Sequence, residues 1–169
     1  MTTPQTPALA AAGASSSSSS IPIPKYHVFL SFGDDTSKSF SDHLYKSMVR
    51  KGIDTFWGYE KIEKGETIDT KRLKAIEESR FAVVVFSREY PSSAERLDEL
   101  VKIAEMKLER VFPVFYHVEP SEVRKQNGTF GDDFALLLAR QDFDVEKVNK
   151  WRNVLTEMAN LSGWHVKDE

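Results

Sequence analysis

The sequence predicts an α/β fold with a mainly parallel sheet, and three observations carry that reading. Short apolar runs rich in Val, Phe and Ile recur along the chain, separated by amphipathic stretches of roughly 10–15 residues. Residues 81–86 (FAVVVF) are apolar throughout, as a strand covered on both faces of a parallel sheet must be. Gly52 and Gly163 stand where helices need a residue that tolerates a left-handed turn. Strands alternating with helices build crossover units, and crossovers make neighbouring strands parallel.

Taken in order, residues 1–24 carry no charged side chain and include a run of six Ser. Such a segment cannot bury enough apolar surface to offset its chain entropy, so it is expected to be a disordered tail, dispensable for folding. A plastid transit peptide is the alternative, although the segment has no Arg. The globular part starts at Lys25. Residues 26–32 (YHVFLSF) read as the first strand, followed by a loop, Gly33 to Thr36. A helix is expected from about Ser37 to Lys51, with Phe40, Leu44 and Met48 on one face and Gly52 as its stop. Ile53 to Trp57 reads as a second strand, Gly58 to Thr67 as a long polar loop, and Ile68 to Glu78 as a short helix carrying Leu73 and Ile76.

Phe81 to Phe86 is the central strand. Ser92 or Ser93 can cap the helix that follows by accepting from a free backbone N–H. Leu97, Leu100, Val101, Ala104 and Leu108 form its main apolar stripe. Glu99 lies on a second line with Ile103 and Met106, so a carboxylate occupies a partly apolar side of the helix. In open α/β sheets the ligand crevice lies beyond the carboxyl ends of the strands, where strand order reverses, and Glu99 is within reach of that rim. Val111 to Tyr116 is a fourth strand despite Pro113, which cannot donate to a ladder. His117 to Thr129 reads as a loop, Phe130 to Arg140 and Val145 to about Ser162 as helices. Trp151 shares a stripe with Val148, Leu155 and Met158, a core position. A fifth strand belongs either between Arg140 and Val145 or near Trp164.

The 169 residues suit one domain plus a tail, and 40% hydrophobic content is enough for a sizeable core. A net charge of −3 gives no global basic field for nucleic acid or an anionic membrane. There is no Cys, which excludes disulfides, thiolate catalysis and thiolate metal sites. No apolar run approaches the roughly 20 residues a bilayer span requires. A cytoplasmic protein, with the nucleus a further compartment, fits these limits.

Few chemical motifs survive inspection. Asp34 and Asp35 follow the first strand, where paired acids hold magnesium in phosphoreceiver domains. That chemistry needs a phosphate-accepting Asp after the central strand, and Ser87 stands there instead. The pair reads better as a turn or helix cap, and no metal is expected. Glycine-rich phosphate loops, HExxH and GxSxG are all missing from the sequence. The four His (27, 43, 117 and 165) show no metal-ligand spacing.

From Lys25 to about His165 the chain resembles a plant-type TIR (Toll/interleukin-1 receptor) domain. The resemblance rests on several blocks in order: residues 26–32 (YHVFLSF), 40–45 (FSDHLY), 63–68 (EKGETI, the end of the family's BB loop), 97–103 (LDELVKI), 111–116 (VFPVFY), 120–126 (PSEVRKQ) and 159–165 (ANLSGWH). It implies a flavodoxin-like fold, with a five-stranded, mainly parallel sheet flanked by helices over residues 25–166, and a C-terminal tail at 167–169. It implies self-association with other TIR domains and cleavage of NAD at the nicotinamide–ribose bond in plant immune and cell-death signalling. NAD is then a substrate, and no cofactor is implied. The family's catalytic Glu falls on Glu99. The nucleotide pocket falls on Phe32, Gly33 and Asp34, on Trp57, Gly58, Lys64 and Gly65, and on Ser87. The self-association face falls on the first and last helices, with His43 at its centre.

The sequence departs from the family pattern at these places. Phe32 is followed directly by Gly33, without the Arg of the usual Ser-Phe-Arg-Gly-Glu-Asp-Thr. Glu95 and Arg96 replace the usual Trp-Cys, and Asp42 replaces the usual Ser before His43. An aromatic and a cation near the nucleotide are thereby lost. Glu95 would raise the Glu99 pKa and repel phosphates, and Asp42 would weaken association. A non-enzymatic adaptor or decoy is therefore the rival function, and an unrelated flavodoxin-like nucleotide or phosphate module a third.

Overall fold

The computed structural model describes residues 24–57 and 68–167. Five strands form one sheet in the order β2-β1-β3-β4-β5, every neighbouring pair parallel. They are β1 (Tyr26–Phe32), β2 (Thr55–Trp57), β3 (Ser79–Phe86), β4 (Val111–Tyr116) and β5 (Trp164–Val166). The helices are α1 (Phe40–Arg50), α2 (Ile68–Glu77), α3 (Ala94–Lys107), α4 (Pro120–Lys125), α5 (Gly128–Arg140) and α6 (Val145–Ala159). This is the predicted α/β, flavodoxin-like class. The fifth strand lies at Trp164, at the far edge from β2.

Local chemistry moves several boundaries. Asp34 to Thr36 form a 3-10 turn, and α1 starts at Phe40 rather than Ser37. Thr36 Oγ1 is 2.7 Å from Ser41 Oγ and also reaches the Gly33 carbonyl, so polar side chains tie this entry before the helix begins. The stretch read as a loop at 117–129 contains α4. Pro120 opens it at a position where no backbone N–H is needed, and Glu119 with Glu122 completes a capping box. α6 stops at Ala159, short of Ser162. Pro113 is tolerated because β5 pairs only with Val114 to Tyr116, leaving the proline just outside that ladder.

Alternation along the strands sorts the core into two layers. Phe29, Phe56, Ala82, Val84, Phe86 and Phe115 face the layer built by α2 to α6. Leu30, Phe32, Val85 and Val114 face α1 through Phe40, Leu44 and Met48. Among the described helices α1 alone covers this second face. Beside it the sheet surface of β4 and β5 stays open, with Phe112 39% and Trp164 62% exposed over a wholly apolar groove.

Candidate functional site

The strand order reverses between β1 and β3, so the crevice predicted for open parallel sheets opens beyond Phe32 and Phe86. Gly33 brings the two strand ends together. A Cβ there would lie 2.9 Å from Asp35 Oδ1 and 3.1 Å from both Ser87 Oγ and Tyr90 Cα. Asp35 spends both carboxylate oxygens on the β3 side: Ser87 Oγ donates to one (2.6 Å) and the Glu89 backbone N–H to the other (3.2 Å). Asp35 is thus a clasp between loops rather than the local turn or cap its position suggested. Gly33→Ala is expected to cost about 1–3 kcal/mol by overpacking this junction, read as a lower urea midpoint.

Of the residues assigned to a nucleotide pocket, Phe32, Gly33, Asp34, Trp57 and Ser87 gather at this rim, whereas Gly58, Lys64 and Gly65 lie outside the described residues. The Phe32 ring is fully buried. Trp57 packs against it at 4.5 Å between centroids, and the Arg96 guanidinium lies 5.8 Å from its centre. Ser87 is buried as well, while Asp34 is exposed.

Glu99 is 4% exposed, the one acidic side chain among the described residues that is buried. Its helix line holds Ile103 inside but leaves Met106 42% exposed, so the second apolar line turns outward after one helical turn. Both oxygens of Glu99 are paired. Oε1 accepts from Arg72 Nε (2.5 Å) and lies 3.4 Å from Arg96 Nη1; Oε2 accepts from Ser31 Oγ (2.6 Å) and Arg96 Nη1 (3.1 Å). An ionised carboxylate offers roughly four lone-pair sites, so both oxygens are committed within the chain. Ser31 has one hydroxyl proton, which it gives to Glu99. The Tyr90 hydroxyl, 2.8 Å away, must therefore be the donor to Ser31.

Electrostatics follows this geometry. Burial pushes the Glu99 carboxyl up and is the largest single influence. The guanidiniums of Arg96 and Arg72, with hydrogen bonds from Arg72 and Ser31, together outweigh it and hold the group below its ordinary range. The upward shift expected from Glu95 does not occur; Glu95 is exposed. Burial likewise pulls Arg96 down, but Glu99, Tyr90 and Asp34 around it hold it above its usual value. Burial, followed by the Glu99 charge, drives the Tyr90 phenol well above its ordinary value. Arg96 brings a guanidinium from α3 to the rim beside Phe32.

Sequence reasoning missed Ser31, Arg72 and Tyr90. Ser31 had a signal, as a polar residue on the strand face that also carries Phe29. Arg72 had a fainter one, since it shares a helix face with Ala75 and Ile76, both buried.

A model of the TIR domain family matches residues 25–169 of this chain. The chain belongs to the TIR domain family. It is 52% identical over 148 residues to disease resistance protein RPV1 of Vitis rotundifolia, and 49% identical over 142 residues to TMV resistance protein N of Nicotiana glutinosa. These matches cover 85% and 82% of this chain but only 10% and 12% of those proteins, so the chain spans about a tenth of their length. Among solved structures it is similar to the TIR domains of the activated Roq1 resistosome, which directly recognizes the pathogen effector XopQ. That match has a TM-score of 0.74 and 48% identity, covering 83% of this chain and 87% of that one. Within this TIR domain the five-stranded sheet presents Glu99 one helix away from the switch point, with α3 capped by Ser93 accepting from the Arg96 N–H at 3.2 Å. No helix among the described residues is long and apolar enough to cross a membrane.

Proposed function

We propose that this TIR domain acts in plant immune signalling by cleaving NAD at the nicotinamide–ribose bond, with Glu99 as its catalytic carboxylate. The observation that carries the reading is a buried, ionised carboxylate beside the switch point. Cleavage of a glycosidic C–N bond passes through an oxocarbenium-like state, and a fixed carboxylate stabilises that positive charge. Nicotinamide leaves as a neutral group from a cationic ring, so no general acid is required and NAD is a substrate rather than a cofactor. Phe32, Gly33, Asp34, Trp57 and Ser87, with Gly58, Lys64 and Gly65 of the following loop, would line the nucleotide site. The similarity to resistance proteins N and RPV1 supports a role in plant immune signalling; a cytoplasmic location, with neither membrane nor nucleic acid as partner, is part of this proposal.

Nicotinamide release from NAD, measured on the chain clustered at high local concentration, tests this. The parent should release nicotinamide, and Glu99→Gln should fall to background, a loss of at least about 10²–10³-fold for one preorganised charge. A parent that stays silent when clustered would leave the second reading, a TIR adaptor working through TIR–TIR contact alone. That rival is favoured by the commitment of both Glu99 oxygens to Arg72, Arg96 and Ser31.

Self-association in either case is assigned to the α1 face around His43, which is exposed. Its neighbour Asp42 pairs with Lys46 at 3.1 Å on the same helix, a surface ion pair of small worth. A charged residue at this patch disfavours contact, so light scattering at micromolar concentration should report a monomer.

A further inference from the structure

The strongest unexplained feature of the site is Arg96. It stands at the first turn of α3, where it reaches back to three things at once. Its Nη1 contacts both oxygens of Glu99, at 3.1 and 3.4 Å. Its guanidinium carbon lies 5.8 Å from the centre of the buried Phe32 ring. Its charge also interacts with Asp34 at the end of β1. The side chain is 11% exposed, so this is a packed position rather than a passing surface contact. Arg72 approaches the same carboxylate from α2. Two guanidiniums are thus set against one carboxylate. NAD brings a cationic nicotinamide ring, and cleavage passes that positive charge to the ribose. A carboxylate whose charge is already offset by guanidiniums stabilises it poorly.

We propose that Arg96 is a latch on Glu99, and that the site turns over only when the Arg96 guanidinium swings off the carboxylate. The inference rests on the NAD-cleaving reading above for its activity readout, but the latch itself is a statement about Arg96 and Glu99. Arg72 and Ser31 hold the carboxylate in place when Arg96 leaves, and Tyr90 keeps Ser31 oriented by donating to it. Arg96 is therefore a positioning residue that sets whether Glu99 is available. The charged and titratable groups around this carboxylate are Arg96 on its own helix, Arg72 on α2, Tyr90 in the turn before α3 and Asp34 after β1. Glu95, Asp98, Lys102 and Glu105 line the adjoining cavity between α2 and α3.

The test compares the parent chain with Arg96→Ala, Arg96→Lys and the Arg96→Ala/Glu99→Gln double variant. Two readouts are taken: nicotinamide release from NAD by clustered protein, and titration of the Glu99 carboxyl by carbon-13 NMR. Removing a hydrogen-bonded charge partner should raise release by about ten- to hundredfold, with Arg96→Lys in between and the double variant at background. The Glu99 carboxyl should titrate at higher pH in Arg96→Ala, because the first of its compensating cations has gone. Release that is unchanged or lower in Arg96→Ala, from a parent that is active, overturns the latch and leaves the NAD-cleaving reading standing. No release from any variant, even with the Glu99 titration moved upward, discards NAD cleavage and the latch with it. A titration that does not move in Arg96→Ala overturns the latch whatever the activity. Should Arg96→Ala not fold, the Arg96→Lys titration decides the point: a point-like ammonium cannot reproduce the guanidinium contacts, so an unmoved titration there overturns it too.

Discussion

Glu99→Ala is expected to lower the stability of this domain by about 3–5 kcal/mol, the usual cost of removing one partner from a buried ion pair. On a domain of this size that is roughly 10–20 °C in melting temperature. The loss falls on what remains. Arg72 and Arg96, with side chains 13% and 11% exposed, would keep their charges and lose their counter-ion. Glu99→Gln retains the shape and part of the hydrogen bonding, so it should unfold between the two, and it is the better variant for activity. The pH dependence follows with a definite sign. The folded Glu99 carboxyl is held below its ordinary value of 4.5, so its contribution is complete above that value and is lost as pH falls through the lower folded-state value. In acid titrations followed by circular dichroism, the parent should lose up to about 1.4 kcal/mol per pH unit more than Glu99→Gln across that window. Equal slopes would mean that Glu99 is not the group being protonated.

Trp151→Ala should be of similar size, about 3–5 kcal/mol, as for any large aromatic removed from a close-packed core. Trp151 is 0% exposed and meets Phe143 edge-on, with ring centroids 4.9 Å apart at 72°. Its indole N–H donates to Asp98 Oδ1 on α3 at 2.9 Å, and Lys147 pairs with the other oxygen of Asp98 at 3.3 Å. One carboxylate therefore ties α6 to α3, the helix that carries Glu99. Asp98 is next to Glu99 in sequence and on the outer side of α3, where it is a structural anchor. Asp98→Ala should cost about 1–3 kcal/mol by leaving the indole N–H without its acceptor, and Asp98→Asn should recover most of that loss. A double-mutant cycle of Asp98→Ala with Trp151→Phe should be clearly non-additive, since the two share one bond. Additive losses in urea denaturation would dissolve this account of how α6 is held.

The sequence by itself determined the layers of this fold and its family. Val83, Val84 and Val85 have side chains that must leave water on both faces, so a covered parallel strand is their only stable setting, and the helices on either side follow from periodicity. Trp151 was legible as core for the same reason. Glu99 was legible as an unusual carboxylate because its helix line also carries Ile103. The fifth strand was not, because Trp164 to Val166 is three residues long and its pairing with Val114 to Tyr116 is a long-range choice with no local signature. Only the tertiary structure decided what Glu99 is bound to. Ser31, Arg72 and Tyr90 come from three different segments, and their hydrogen bonds to Glu99 or to each other depend on distances that no spacing along the chain encodes; only the Arg96–Glu99 pair follows helical spacing. Local sequence sets which faces are apolar, whereas charge pairing in a buried site is set by how those faces dock.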